Sequence, residues 1–242
     1  KMTDHPSDEI IRAIIAAHDG GPLVGAMAEA DVPADIDAVY AMQDRIMAGI
    51  GPSGGWKILA GAAGDPICSP IPANRYFENG ATINAAHHRF IITEVEVAVK
   101  LGADLTGTPD EAAVEAAIAS VHPVLEMVGN PFADRDATAR NVQLGDLQSN
   151  GAVIVGPAVD AGIREALPTL PVTLTYGDTV IKQVETGASW SAILAALVWL
   201  APRAEKRGFP LKAGQVIITG SRIAVPLDHA EDVTAKLGQW GE

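Results

Sequence analysis

Three glutamates stand where a carboxylate is costly. Glu94 and Glu96 interrupt the apolar, β-branched run Ile91-Ile92-Thr93-Glu94-Val95-Glu96-Val97-Ala98-Val99. That composition predicts a buried strand. Alternate side chains of a strand share a face, so Glu94 and Glu96 project together, about 7 Å apart along the backbone. Val95, Val97 and Val99 take the other face and enter the core. Two carboxylates side by side repel each other and resist desolvation. Three arrangements compensate: a solvent-exposed face, a buried Lys or Arg, or a hard cation such as Mg²⁺ with oxygen ligands. A third acid, Glu126 in Val124-Leu125-Glu126-Met127-Val128, has similar surroundings and favours the cation. Three carboxylates around one Mg²⁺ leave a single net negative charge and open positions for a bidentate ligand.

Other reactive side chains are read against simpler roles. Lys57 follows Trp56 at the end of Gly51-Pro52-Ser53-Gly54-Gly55, which resembles a phosphate loop but lacks the G-x-x-x-x-G-K-[ST] spacing and is not one. His87-His88 reads as a solvated turn ahead of the glutamate strand, and His122, before Pro123, as structural. Cys68 is the sole cysteine. It forms no intrachain disulfide, reads as an inert thiol, and fits a reducing, cytoplasmic setting. Trp190, Ile193, Leu194 and Leu197 have helical spacing and read as packing.

Two helices open the chain. Ser7 is an N-cap for a helix carrying Ile10, Ile11, Ile14 and Ile15, stopped by Gly20-Gly21. A second carries Ile36, Val39, Met42, Ile46 and Met47 and closes at Gly51-Pro52. From Gly54 onward, short β-rich segments alternate with Gly, Pro, Asn and Asp turns: 56–59, 90–101, 152–155, 172–176, 179–184 and 215–219. Tyr176-Gly177-Asp178 reads as a hairpin. Two further helices are expected, over 110–120 and over 190–200, with Pro202 ending or kinking the latter. The organisation is α+β: a helical annex, 1–53, and a β-rich unit, 54–242.

The 17 basic and 30 acidic residues give a formal net charge of -13. A nucleic-acid partner is disfavoured, because binding a polyanion requires clustered Lys and Arg. The longest apolar run, around Trp190 to Ala201, is too short to span a bilayer. The first twenty residues lack the apolar core of a secretory signal.

Six segments occur together in the order of a known family. They are Gly55-Trp56-Lys57-Ile58, Glu94-Val95-Glu96-Val97-Ala98, Pro123-Val124-Leu125-Glu126-Met127-Val128, Gly145-Asp146-Leu147-Gln148-Ser149-Asn150-Gly151, Val198-Trp199-Leu200, and Gly214-Gln215-Val216-Ile217-Ile218-Thr219-Gly220-Ser221. The chain resembles the 2-keto-4-pentenoate hydratase branch of the fumarylacetoacetate hydrolase superfamily, which also contains 4-oxalocrotonate decarboxylases. The resemblance implies a mixed β-sandwich roll with an N-terminal helical part. It implies Mg²⁺ or Mn²⁺ on Glu94, Glu96 and Glu126, with a small unsaturated 2-keto acid chelating the ion. It implies proton-handling roles for Lys57 and Asp146, the latter orienting a water or Lys57. Ser149 and the Thr219-Gly220-Ser221 turn would bind the substrate carboxylate. The implied activity is that of a metal-dependent lyase, hydratase or decarboxylase, with tautomerisation or C–C hydrolysis as alternatives. A homo-oligomer is implied, or a hetero-complex in which this chain is a non-catalytic partner of a related enzyme.

Departures from the family pattern bear on the reaction. The hydratases carry a Q-P-D-F-G-like stretch where this chain has Ser69-Pro70-Ile71-Pro72-Ala73-Asn74-Arg75. The family's aspartate is missing there, leaving Arg75 or Glu78 as replacements to look for. An aspartate-asparagine pair is here Asp146-Leu147. A His-Pro or Asn-Pro pair before the late helix is here Ala188-Ser189-Trp190, so Trp190 could reshape the pocket.

Overall fold

The computed structural model describes residues 6–228 and 232–242. Helix α1 (Asp8–His18) begins where the Ser7 hydroxyl accepts from the Ile10 N–H. It buries Ile11, Ile14 and Ala17. Helix α2 (Ile36–Ile50) begins at Asp35, whose carboxylate accepts from the Ala38 N–H at 2.9 Å. Capping satisfies N–H groups that the first helical turn leaves unbonded. The two helices share an apolar cluster with Phe132, Val142 and Leu147 from much later in the chain.

The next strands are β1 (Ser53–Ile58), β2 (Cys68–Pro72) and β3 (Tyr76–Glu78). Then come β4 (Phe90–Leu101), α3 (Glu111–Ala117) and β5 (Ile118–Gly129). Helix α4 (Arg140–Gly145) precedes β6 (Asn150–Val155), and α5 (Ile163–Ala166) precedes β7 (Val172–Tyr176) and β8 (Thr179–Val184). The chain ends with α6 (Trp190–Lys206), β9 (Val216–Pro226) and β10 (Val233–Leu237). Seven strands form one sheet in the order β2-β1-β9-β4-β5-β6-β3, and three form a second in the order β10-β7-β8. The β1–β9 and β3–β6 pairs are parallel and the rest antiparallel.

The large sheet must curl. Its two edge strands, β2 and β3, are joined by only the single turn Ala73–Arg75, so opposite edges meet. The Tyr76 hydroxyl on β3 donates to the Val216 carbonyl on β9 at 2.7 Å, across the closing gap. Inside the roll, Ile71, Ala98, Val124, Val153, Val216 and Ile218 form an apolar cluster. Outside it, Val95, Val97 and Val99 pack under α3, α6 and the small sheet, as the alternation in β4 requires.

Several elements depart from the sequence reading. The helix expected over 110–120 ends at Ala117, and the chain passes directly into β5. Ile118 and Ser120 pair with Leu101 and Lys100 of β4, and that ladder overrides helical propensity. Helix α6 continues through Pro202 to Lys206. Burial of Leu197, Leu200, Ala201 and Ala204 outweighs the roughly 3 kcal/mol that an interior proline costs. Strand β2 carries Pro70 and Pro72, which hid it, yet it lies at a sheet edge, where proline is tolerated. Among the described residues, no helix is long and apolar enough to cross a membrane.

Candidate metal centre

Glu94 and Glu126 are direct cross-strand partners on β4 and β5. Glu96, two residues along β4, shares their face. A carboxylate oxygen from each of the three lies within 4.8 Å of the other two. Glu126 is fully buried, and Glu96 is 2% exposed. Of the three compensations open to such a cluster, the solvent-exposed face is thereby excluded, and a buried lysine is present.

That lysine is Lys57 on β1. Its Nζ donates to Glu126 Oε1 at 2.6 Å and to the Gln148 carbonyl at 3.3 Å. The Asn150 amide also donates to Glu126 Oε1, at 2.9 Å. Glu126 Oε2 is buried and accepts no hydrogen bond. One ammonium among three carboxylates leaves excess negative charge. Burial raises the Glu94 carboxyl to about 7, with the Glu126 charge adding and Lys57 opposing. Glu96 is pushed well up, by burial and then by Glu126 and Glu94. Glu126 is instead held below the usual range: burial would raise it, but Lys57 and the Asn150 amide prevail. Burial alone would lower Lys57, yet the carboxylates of Glu126, Glu94 and Glu96 carry it upward, so it remains an ammonium. A bare buried carboxylate oxygen beside two carboxylates short of charge compensation, in an all-oxygen donor set, fits a hard divalent cation.

Glu96 is fixed from β9. The Gly220 N–H donates to Glu96 Oε2 at 2.7 Å. Gly220 lies at an irregularity in the β4–β9 pairing with φ of 123°, a conformation that favours glycine. The segment 219–221 is therefore strand rather than the expected turn, a bulge within β9, and its Gly220 N–H is engaged by Glu96. The Thr219 and Ser221 hydroxyls donate to the Val97 and Ile223 carbonyls.

Asp146 is fully buried beyond α4. Both its oxygens lie within hydrogen-bond reach of His18 Nε2, at 2.8 and 2.9 Å, so its partner is a histidine of α1 rather than Lys57. Ser149 Oγ accepts from Arg135 at 3.0 Å. After Asp146, Leu147, Gln148 and Ser149 all have positive φ, 48°, 53° and 61°. Three successive non-glycine residues in that region are strained. The turn directs the Gln148 carbonyl to Lys57 and carries Ser149 next to Asn150, which holds Glu126.

Other expectations resolve elsewhere. Trp190 donates to Glu115 at 3.1 Å and lies under the Arg164 guanidinium, so it does not shape the carboxylate site. Ile71 is fully buried in the roll's apolar cluster. Glu78 is exposed and lines a separate cavity with Lys100 and His122. Arg75 donates to the Asn150 carbonyl. His122 is held between Ser120 Oγ and the Gly156 carbonyl, both at 2.7 Å, a structural arrangement. His18, Asn150, Arg135 and Tyr76 were not singled out in the sequence. Their pattern carries no local signal, because each acts through a contact that only folding creates.

Residues 63–241 match the family described as fumarylacetoacetate (FAA) hydrolase C-terminal, and the chain belongs to that family. Among curated relatives, it is 23% identical to a 4-oxalocrotonate decarboxylase from Pseudomonas sp, over 69% of this chain and 64% of that protein. It is 31% identical to a 2-keto-4-pentenoate hydratase from Paraburkholderia xenovorans (strain LB400), over 53% of this chain and 48% of that protein. The matches thus span between about half and two thirds of these relatives. In fold, the chain is similar to the 4-oxalocrotonate decarboxylase from Pseudomonas putida G7 complexed with calcium and acetate: TM-score 0.76, 21% identity, 97% of this chain and 96% of that one. The same enzyme complexed with magnesium and adipate superposes with a TM-score of 0.72.

Proposed function

We propose that the protein is a divalent-metal-dependent carbon lyase acting on a small unsaturated 2-keto acid, by hydration of a 2-hydroxydienoate or its 2-keto-enoate tautomer. The observation that carries this reading is the convergence of Glu94, Glu96 and Glu126 beside a buried Lys57 ammonium. The two curated relatives, named for a hydratase and a decarboxylase of keto acids, support it.

Glu94, Glu96 and Glu126 would hold Mg²⁺ or Mn²⁺. When bound, such an ion is a Lewis acid that stabilises enolate-like charge on a chelating keto acid. The protein's own groups do the rest. Lys57 Nζ carries a proton at rest and can donate it, or a hydrogen bond, to a developing enolate oxygen. Lys57 and Asn150 orient Glu126, and the Gly220 N–H orients Glu96. The apolar interior formed by Ile71, Ala98, Val124, Val153 and Ile218 excludes water and strengthens these charge interactions. Ser149 with Arg135 supplies an anchor for a carboxylate. His18 Nε2, 2.8 and 2.9 Å from the two Asp146 oxygens, orients that carboxylate.

Ile71 favours one alternative. The stretch where hydratases carry an aspartate is apolar here and packed into the core, which removes a proton-transfer group from the water-adding step. Decarboxylation of a related keto acid needs the same metal and Lys57 but no activated water. A chain that only stabilises an active homologue is the remaining alternative.

Calorimetric titration of Mg²⁺ and Mn²⁺, with and without oxalate, tests the site. Binding should tighten with oxalate and disappear in the Glu94→Gln/Glu126→Gln variant. No binding to the wild type would sink the metal-lyase reading. Turnover of a 2-hydroxydienoate, against CO₂ release from an oxalocrotonate, then separates hydratase from decarboxylase. Turnover by the pure chain excludes the non-catalytic role.

A further inference from the structure

We propose that Asp19, His87 and His88 form a second metal site, for a borderline transition ion such as Zn²⁺, tying the end of α1 to the segment that enters β4. A ligand atom from each residue lies within 4.8 Å of the other two. His87 Nε2 is already 3.1 Å from Asp19 Oδ1. Ligands of a tetrahedral Zn²⁺ at about 2.0–2.1 Å sit a little over 3 Å apart, so the His87–Asp19 pair already has that spacing and the remaining pairs would have to close by at most about 1.5 Å.

The surrounding chain holds these groups in place. His88 Nδ1 lies 3.3 Å from the His18 carbonyl, and its ring stacks on Phe90 at 5.6 Å. A backbone carbonyl on one ring nitrogen leaves the other nitrogen for a metal, the usual second contact of a metal-bound histidine. The His87 ring lies so close to Gly20 that an added Cβ would come within 2.6 Å of it. The His87 N–H donates to Asn84 Oδ1, and Arg89 binds the Ala17 and Gly21 carbonyls, fixing the turn against α1. Asp19 is the C-cap of α1, and a helix C-terminus favours positive charge. Two imidazoles and one carboxylate suit Zn²⁺ or Co²⁺, whereas the three-glutamate site suits a harder ion. Asp19 and His88 also line a cavity of about 400 Å³ with His18, Arg75 and Phe90. The solvated turn read from His87-His88 is thus also a pair of ligands.

Zn²⁺ calorimetry in the presence of saturating Mg²⁺, together with Co²⁺ absorption spectra, tests the site. His87 is 47% and Asp19 80% exposed, so His87→Ala and Asp19→Asn should fold. One Zn²⁺ equivalent is expected in the wild type and in Glu94→Gln/Glu126→Gln. It should weaken at least tenfold in His87→Ala and in Asp19→Asn. The Co²⁺ form should show the intense visible bands of a four-coordinate imidazole site, lost in His87→Ala. Absence of a Zn²⁺ equivalent, or Zn²⁺ affinity and Co²⁺ bands unchanged in His87→Ala and Asp19→Asn, overturns the proposal. Because neither variant touches the glutamates, Mg²⁺ binding is read separately from this result.

Discussion

Lys57 and Glu126 are a buried ion pair, 13% and 0% exposed, at 2.6 Å. Removing one member of such a pair strands the other charge in a medium that solvates it poorly, at roughly 3–5 kcal/mol. In metal-free protein, Lys57→Met should therefore lower the unfolding free energy by about 3 kcal/mol in denaturant titrations. Lys57→Met/Glu126→Gln should recover most of that loss, because neither member of the pair is left charged without its partner. The same cluster sets a pH dependence. In the metal-free protein the Glu94 carboxyl is raised to about 7. A raised carboxyl binds its proton more tightly when folded, so the stability it contributes is present at and below the ordinary carboxylate range. It is lost as pH rises through about 7. Thermal unfolding of metal-free protein should therefore show a falling Tm between pH 5 and 8. Saturating Mg²⁺ should reverse the slope, since protons then compete with the ion.

The left-handed turn at 147–149 is the element with most to lose from regularisation. Its strain is offset by Leu147, fully buried against the two opening helices, and by the Gln148 carbonyl on Lys57. Gln148→Gly permits positive φ without a Cβ clash. It should raise native stability by up to about 1 kcal/mol, net of the entropy glycine adds to the unfolded chain. Turnover should fall as the turn loosens around Lys57. Stability and kcat moving in opposite directions would mark the strain as functional; a gain in both would not. The elements differ in how far the sequence discloses them. Strand β4 was legible down to the face of each side chain, because period-two alternation and β-branching agree there. So were both opening helices, where caps and apolar spacing coincide. Strand β2 was hidden by its prolines, and the boundary between α3 and β5 by alanines that suit a helix until β4 claims the chain. The His18–Asp146 pair spans 128 residues, and no local pattern encodes it. The glutamates were readable because three acids in apolar strands violate composition on their own.

At the scale of the molecule, the roll forces like charges together. Closing β2 onto β3 through one short turn brings Lys57 opposite β5 and leaves Glu94, Glu96 and Glu126 facing one interior. That geometry stores electrostatic cost in the fold, and any ion that relieves it stabilises the folded state. Ligand binding contributes RT ln(1 + [L]/Kd), about 2.7 kcal/mol at a hundredfold excess over Kd. For a chain of this size, each kcal/mol moves Tm by roughly 2–4 °C. Saturating Mg²⁺ should therefore raise Tm by about 5–10 °C at pH 8, read by calorimetry or circular dichroism. Glu94→Gln separates this effect from ordinary packing. It removes one repelling charge while leaving the Lys57–Glu126 pair intact, so the metal-free variant should melt above metal-free wild type at pH 8. It also removes one of the proposed metal ligands, so most of the Mg²⁺ increment should vanish. A site shaped by packing alone would lose stability on the substitution and respond to Mg²⁺ in neither form. A site strained in order to bind gains stability when disarmed, the expected trade between function and stability.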